Sequence, residues 1–276
     1  MPANFIYQLP SDQCVDDATL SLGTGSLASG YALSALHNGN PASPMLLSAA
    51  TTFYVLLDFG ASVTKAMKLF AFIGHNFDPG ITLVVQGNAS NSWGAPTVNS
   101  SVVVPAVQSD GSPTDFYWMS SSQTTALRWW RIGTTTTNSA AWRLGELWAS
   151  TTLRSLPARN LRDSTMRVRQ NYRVVEHVTP SGVSMRYRSP FAIRSIEGAV
   201  DFTEASINTV MGWHAACFGR ALPTVCIPND SLSGTTGLYP AYYVVHTTDE
   251  LEKSSIGGDL WRITLALRTL SNGVAA

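Results

Sequence analysis

The sequence predicts a mainly β protein of two domains with a single α-helix. Short runs rich in β-branched and aromatic residues recur throughout its 276 residues, and Gly, Pro, Asn and Asp bound them. Loops rather than helical patterns join these runs, which favours antiparallel sandwiches or barrels. The apolar fraction of 45% and the charged fraction of 13% indicate a packed core rather than a disordered chain.

The predicted strands are spread evenly over both halves of the chain. Those of the first half lie at 52–58, 66–73, 81–86, 101–107, 126–132 and 146–150. Those of the second half lie at 166–175, 183–188, 195–202, 224–227, 242–246 and 260–269.

One segment of the second half has helical rather than alternating spacing. Between 203 and 218 the apolar residues recur at the intervals of one helix face, and Asp201 or Thr203 can cap its N-terminus. Gly219 stands where a C-terminal cap glycine belongs. We therefore predict one amphipathic helix packed on a sheet. His214 lies on its apolar face, and we expect a core histidine there rather than a metal ligand.

The composition changes near residues 150–162. Strands that are rich in Thr and Ser and weakly acidic give way there to a basic run around Pro157. This change predicts a domain of residues 1–155 followed by a domain of residues 156–276.

An arginine-rich span follows this boundary. Nine arginines lie between residues 154 and 194, against the acidic residues Asp163 and Glu176. The span can contact DNA backbone without sequence specificity, or form a solvated face with salt bridges between subunits. The candidate assembly or channel residues are Arg167, Arg169, Arg173, Arg186, Arg188 and Arg194.

The common signatures of catalysis are missing from the sequence. It has no P-loop, no HExxH motif, no paired CxxC and no Gly-x-Ser-x-Gly elbow, and the glycines at 23–30 have the wrong spacing for a dinucleotide loop. The five histidines are scattered, with no pair spaced to build a metal site on one element. We therefore predict a protein that is not an enzyme, with no catalytic centre, metal or cofactor.

Charge and cysteine content set the expected surroundings of the chain. Basic and acidic residues are equal at 18 each, which gives no signal for nucleic acid or membrane. No stretch has the apolar length of a membrane span, and no signal peptide is visible. The three cysteines favour free thiols, although a disulfide between Cys217 and Cys226 is an alternative. We expect folding in a reducing cytosol and no membrane insertion.

Tryptophans crowd the first half of the chain. Alternation along 128–131 places Trp129 and Trp130 on opposite faces of a strand, so at most one of them enters the same core. The side chains either fill a β-sandwich core or form a platform on which sugar rings stack. The candidates for glycan stacking are Trp93, Trp118 and Trp142.

An ordered series of motifs in the first half is similar to a known fold family. The motifs are FYVLLDFG at 53–60, AFIGHN at 71–76, ITLVVQ at 81–86, RWWRI at 128–132 and LGELW at 144–148. In this order they resemble the strands of the galactose-binding-like, or discoidin-type, jelly roll. The resemblance covers residues 1–155 and implies a β-sandwich that can display a binding surface. Within it, we expect His75 and Asn76 to close a strand end by local hydrogen bonds.

The second half resembles a different group of proteins. Its order is a strand, the capped helix, GRALPTVCIP at 219–228, a tyrosine-rich strand and GDLWRITLALRTL at 258–270. This order is similar to small β domains of tail-tip proteins of long-tailed bacteriophages. The resemblance implies a tail-tube-like β domain with one flanking helix that packs into a ring around the tail channel. The jelly roll precedes the ring domain here, which departs from the usual distal-tail arrangement.

Together the two resemblances imply a structural protein of a phage tail tip or baseplate. It would form a ring at the distal end of the tail tube and join the tube to hub and receptor-binding proteins. The implied partners are copies of itself, as a hexamer before a trimer, and the tail-tube, tape-measure and baseplate hub proteins. The implied location is the virion tail tip, after synthesis in the host cytoplasm, with at most non-specific contact with DNA.

The alternative function is a carbohydrate-binding module that adheres to host-surface glycans through the first domain. A third function, degradation of a glycan, requires exposed carboxylates clustered in a cleft.

Overall fold

The structure is a computed structural model of the chain. It describes residues 4–108, 111, 113–156, 167–171, 174–178, 184–188, 193–219, 221–230, 241–258 and 260–270. Over these residues the protein is mainly β with a single α-helix, which confirms the predicted fold class.

The strands of the first half are β1 (Asn4–Tyr7), β2 (Thr19–Thr24), β3 (Met45–Leu46), β4 (Phe53–Asp58), β5 (Leu69–Ile73), β6 (Thr82–Asn88), β7 (Val98–Val103), β8 (Phe116–Met119), β9 (Trp129–Thr134), β10 (Arg143–Leu144), β11 (Glu146–Ser150) and β12 (Arg154–Leu156). Short 3₁₀ turns lie at Pro10–Asp12, Val15–Asp17 and Leu33–His37.

The elements of the second half are β13 (Arg167–Asn171), β14 (Val174–Val178), β15 (Ser184–Arg188), β16 (Ile193–Thr203), α1 (Glu204–Ala216), β17 (Thr224–Asp230), β18 (Tyr242–His246), β19 (Lys253–Gly257) and β20 (Leu260–Thr269).

Two antiparallel sheets of the first half face each other as a jelly-roll sandwich. The five-stranded sheet has the order β2-β4-β9-β6-β7, and the three-stranded sheet has the order β11-β5-β8. Alternating side chains of both sheets enter one core that contains large aromatic residues. Phe70 lies between two of them, with its ring centroid 5.9 Å from that of Trp118 and 5.9 Å from that of Trp130.

One end of this sandwich is closed by hydrogen bonds of His75 and Asn76. His75 is buried, its Nε2 lies 3.0 Å from the carbonyl oxygen of Thr114, and its Nδ1 accepts the N–H of Phe77 at 3.1 Å. Asn76 donates to the carbonyl of Ala141 and accepts the backbone N–H of Arg143. These bonds match the expected closing of a strand end.

An eight-stranded sheet combines most strands of the second half with β1 and β12 of the first half. Its order is β12-β1-β17-β18-β20-β16-β13, with β19 paired on β20. The N-terminal strand β1 is an inner strand next to the edge strand β12, because it pairs antiparallel with both β12 and β17. The predicted boundary between residues 155 and 156 therefore falls on a strand of this sheet.

Alternation along β1, β17 and β18 gives the eight-stranded sheet two apolar faces. One face packs against α1, where Trp213 contacts the rings of Phe5 and Tyr7. The other face carries Ile6 and Tyr243 and packs against the outer side of the three-stranded sheet. As a result β5, β8 and β11 are buried on both faces, and the two halves share an apolar junction.

The helix lies close to the predicted 203–218 and ends as the sequence indicates. Gly219 has a φ of +62°, and its N–H donates to the carbonyl of His214 at 3.1 Å. His214 is buried, and its Nε2 lies 3.0 Å from the carbonyl oxygen of Thr248. It is therefore a satisfied core histidine, as predicted.

Two other expectations concern cysteines and membranes. Cys14, Cys217 and Cys226 are buried free thiols, so the structure contains the free thiols rather than the alternative disulfide. Among the described residues, no helix combines the length and apolar character needed to cross a bilayer.

Candidate ligand-binding surface

The structure separates the three tryptophans that were candidates for glycan stacking. Trp118 is 1% exposed and Trp142 is 0% exposed, so neither can contact a glycan, and for these two residues the prediction is wrong. Trp118 lies on β8, which is covered on both sides, and Trp142 packs 4.8 Å from the ring of Phe53. Only Trp93 of the three is partly exposed.

Trp93 covers an arginine on the outer side of the five-stranded sheet. Because Trp130 points into the core, its neighbour Arg131 points outward. The Arg131 Cζ lies 4.5 Å from the ring centroid of Trp93 and 4.3 Å from that of Tyr54. The guanidinium therefore contacts two aromatic rings, an arrangement that cation–π attraction stabilises.

Amide side chains of neighbouring strands hold this arginine in place. Arg131 Nε donates to Gln86 Oε1 at 2.6 Å, and Gln86 Nε2 donates to Asn99 Oδ1 at 2.7 Å. The three residues stand directly opposite one another across β9, β6 and β7. Gln86 is buried in the middle of this row, so Asn99 and Arg131 are the polar groups that reach the surface beside the aromatic rings.

The loop that carries Trp93 is fixed by its own polar side chains. Trp93 Nε1 donates to Asn91 Oδ1 at 2.7 Å. Asn88 donates to the carbonyl of Ser92 and accepts from Thr97 Oγ1 at 3.0 Å. These bonds give the indole a defined position without a ligand.

A glycine on β9 makes room for Tyr54. A Cβ on Gly133 would overlap the carbonyl oxygen of Phe53 and approach the Tyr54 ring to 2.8 Å. Only glycine lets the ring of Tyr54 lie this close to the strand. We call Tyr54, Gln86, Trp93, Asn99 and Arg131 together the outer-face site.

A second arginine–aromatic contact lies further along the same sheet. Arg128 Cζ lies 5.0 Å from the Trp129 ring centroid, and Arg128 donates two hydrogen bonds to Asp58, at 2.6 and 2.8 Å. The hydrogen bonds from Arg128 lower the pKa of Asp58. Trp129 and Asp58 stand opposite each other on β9 and β4, so they extend the aromatic and polar character of this face.

The arginines of the predicted basic span are placed differently from one another. Arg169 is exposed and pairs with Glu197 at 3.4 Å, whereas Arg194 is buried on β16 and cannot line a channel. For Arg194 the prediction of a channel residue is therefore wrong. The remaining members are Arg167, Arg186 and Arg188, whose strands are described by their backbone, and Arg173, which lies outside the described residues.

A small cleft with carboxyl groups lies where the two halves meet. Glu146, Asp16 and His37 line it, and Glu146 is part of the LGELW motif at 144–148, which predicted a strand and no functional role for it. Asp16 Oδ1 lies 2.7 Å from His37 Nδ1. The β5 and β11 pairing brings Glu146 to this edge, a non-local contact for which the sequence has no signal. Within the described residues, no group of three His, Cys, Asp or Glu could hold a metal ion.

Comparison with known proteins gives distant structural similarity. No protein-family model and no curated protein matches the chain. The lectin-binding domain of Lectinolysin complexed with Lewis b is 12% identical, with a TM-score of 0.39 over 52% of this chain and 99% of that one. A CBM32 domain of a family 31 glycoside hydrolase from Clostridium perfringens is 11% identical, with a TM-score of 0.37 over 50% and 96%.

A fucolectin from the serum of Morone saxatilis (striped bass) is 10% identical, with a TM-score of 0.39 over 94% of this chain and 98% of that one. These similarities are too low to transfer a ligand or an activity to this chain. None of the three is a phage tail protein, so the predicted tail-tip identity gains no support from them.

Proposed function

We propose that the protein is a non-catalytic carbohydrate-binding protein that holds a glycan on the outer-face site. The observation that carries this proposal is the partly exposed Trp93, held over Arg131 by its own loop. The sequence suggested carbohydrate binding as the alternative function, and this proposal assigns it to specific residues.

The chemistry of the outer-face site suits a sugar. A flat indole can pack against the C–H face of a pyranose ring, and aromatic side chains make such contacts at low cost in conformational entropy. Asn99 supplies an exposed amide group and Arg131 supplies guanidinium N–H groups for hydroxyls around the ring, and the buried Gln86 holds both side chains in place. Because hydrogen bonds already fix these side chains, little ordering is needed on binding.

A glycan array tests this proposal. We expect the full chain to bind a defined set of glycans, and Trp93→Ala to lose that binding because the stacking face is removed. The matched control is Phe218→Ala, which removes another exposed aromatic ring, 73% exposed, at the far end of α1. A blank array for the wild-type chain, or equal loss in both variants, would overturn the proposal.

We further propose that the second half assembles copies of the chain in a phage tail tip. The supporting observation is the hairpin of β14 and β15, which pair from Val174↔Arg188 to Val178↔Ser184 and form a sheet separate from the eight-stranded sheet. A separate hairpin beside a large sheet can reach a neighbouring copy and build the heterologous contacts of a ring. The second half then has the role of a tail-tube-like ring domain, and the jelly roll displays the outer-face site at the virion surface.

The assembly proposal has its own experiment. Size-exclusion chromatography with light scattering should give a hexamer, or a trimer, for the full chain. Replacing residues 174–188 by a Gly/Ser linker should give a monomer that keeps its glycan binding. A wild-type chain that stays monomeric alone and with tail-tube or hub proteins would contradict the assembly proposal.

A further inference from the structure

The outer side of the five-stranded sheet carries few charged side chains. Its strands β2, β4, β9, β6 and β7 contain two charged residues, Asp58 and Arg131, and Arg128 stands directly before β9. The stretch 79–109, which includes β6, the loop of Trp93 and β7, contains none. The charge of this face is therefore set by three side chains.

Two of these three side chains neutralise each other. Arg128 donates to both carboxylate oxygens of Asp58, at 2.6 and 2.8 Å. Arg131 contacts Gln86 and two aromatic rings instead, and no carboxylate of a described residue lies within ion-pair distance of it. Two arginines against one aspartate leave one positive charge, and it lies on Arg131.

The surroundings of Arg131 favour an anion. Burial lowers the pKa of Arg131, whereas hydrogen bonds to Asp58 and Asp12 raise the pKa of Arg128 and of Arg154. Arg131 has thus lost part of its hydration without gaining an ionic partner from the described residues. An anion supplied by a ligand would offset that loss.

The guanidinium of Arg131 also has donors to spare. Its hydrogen bond to Gln86 starts at Nε, and within the described part of the chain its two Nη groups have no acceptor. Neither Nη atom is a buried atom without a partner, so both are open to solvent. Two N–H groups of one guanidinium match two oxygens of a carboxylate or of a sulfate. A sugar ring against Trp93 holds its substituents beside these groups, because Arg131 Cζ lies 4.5 Å from the ring centroid of Trp93.

We propose that the outer-face site selects acidic sugars, an inference that rests on the proposed glycan binding. The sugar ring lies against Trp93, and its anionic group, a carboxylate or a sulfate ester, accepts from the Nη groups of Arg131. A dense polyanion such as nucleic acid binds through several cations, whereas this face has one unneutralised cation among the residues that the structure describes. The charge of the site therefore matches a glycan with one acidic group at the stacked sugar.

Matched pairs of glycans test this inference on the full chain. One pair is a uronic acid oligosaccharide and its carboxyl-reduced, neutral form, and the other is a sulfated oligosaccharide and its desulfated form. We expect the acidic member of at least one pair to bind about tenfold more tightly in calorimetry at neutral pH and low salt, because it forms charge-assisted hydrogen bonds. The pair that shows the preference identifies carboxylate or sulfate as its source. Sodium chloride at about 0.5 M should remove most of the preference, because salt screens a partly exposed ion pair.

Two variants assign the preference to the charge of Arg131. Arg131→Gln removes the charge, and Gln86→Glu keeps Arg131 but places a carboxylate at its Nε. Both should bring the affinities for the two members of a pair within about twofold of each other. The matched control is Lys253→Gln, which removes a cation that lies 4.5 Å from the ring centroid of Trp261 in the second half and should leave the ratio as in wild type. Thermal unfolding checks that each variant is folded.

The outcomes separate this inference from the proposed function. Equal binding of both members of both pairs, still lost in Trp93→Ala, would overturn the selection of acidic sugars and leave glycan binding in place. A preference that survives in both Arg131→Gln and Gln86→Glu would also overturn it. A chain that binds neither acidic nor neutral glycans would overturn the proposed function and this inference together.

Discussion

Arg154 donates two parallel hydrogen bonds to Asp12, from Nε to Oδ2 at 2.7 Å and from Nη2 to Oδ1 at 2.9 Å. Asp12 also accepts the backbone N–H of Leu9 at 2.8 Å. The pair joins β12 to the first 3₁₀ turn, just after β1, so it fixes the place where the chain passes from the eight-stranded sheet into the jelly roll.

The first prediction compares this ion pair with the similar pair of Arg128 and Asp58. The Asp12 side chain is 7% exposed and the Asp58 side chain is 20% exposed. Arg154→Met leaves a buried carboxylate with one backbone partner, and we expect the free energy of unfolding to fall by about 2 kcal/mol. Arg128→Met should cost clearly less, because water replaces the lost partner. Urea denaturation measures both, and equal losses would contradict the role assigned to burial.

The second prediction concerns His246, which is buried against Trp213 and His214, with ring centroids 4.8 and 4.9 Å away. Burial lowers the pKa of His246 to about 4, and the charge of His214 adds to the shift. Between about pH 6.5 and 4 the unfolded chain binds a proton that the folded chain does not, so stability falls as the pH falls through this window.

We expect His246→Gln to remove part of that loss, up to about 3 kcal/mol between pH 6.5 and 4. His75, whose pKa burial also lowers to about 4, accounts for a similar remaining part. Urea denaturation at several pH values in this window compares the slopes. A slope unchanged in the variant would show that His246 does not carry the predicted effect.

The third prediction has the opposite sign and concerns Glu146. Its pKa is raised from 4.5 to about 8, so the folded chain keeps a proton that the unfolded chain releases between these values. The contribution of this proton to the free energy of unfolding is complete below pH 4.5 and is lost as the pH rises through about 8. Glu146→Gln does not lose stability in this way, because its amide group does not ionise. The compared quantity is the free energy of unfolding of Glu146→Gln minus that of wild type. We expect this difference to be about 2–5 kcal/mol larger at pH 8 than at pH 4.5, measured by the same urea denaturation.

Local patterns in the sequence were sufficient for much of the fold. The runs predicted at 52–58, 66–73 and 126–132 overlap the strands β4, β5 and β9, and the helix is followed by its cap glycine Gly219 as indicated. The opposite orientation of Trp130 and Arg131 also follows from alternation, and it is what exposes Arg131 on the outer face.

Long-range packing explains what could not be predicted. The sequence does not show which side chains of β8 enter the core: Trp118 points into the jelly-roll core against Phe70, whereas its neighbours Tyr117 and Met119 face the eight-stranded sheet. The position of β1 depends on pairing with β12 and β17, far away in the chain. Trp93 was a candidate because of its residue type, but its contact with Arg131 depends on how the loop after β6 folds back over β9.

The most direct test of the central proposal follows the indole N–H signals of the eight tryptophans during titration with a glycan selected on the array. The proposal predicts a saturable shift of the Trp93 signal, assigned with Trp93→Phe, while the signals of the core residues Trp118 and Trp142 stay in place. Saturable binding that leaves Trp93 unmoved would place the glycan elsewhere and contradict the outer-face site.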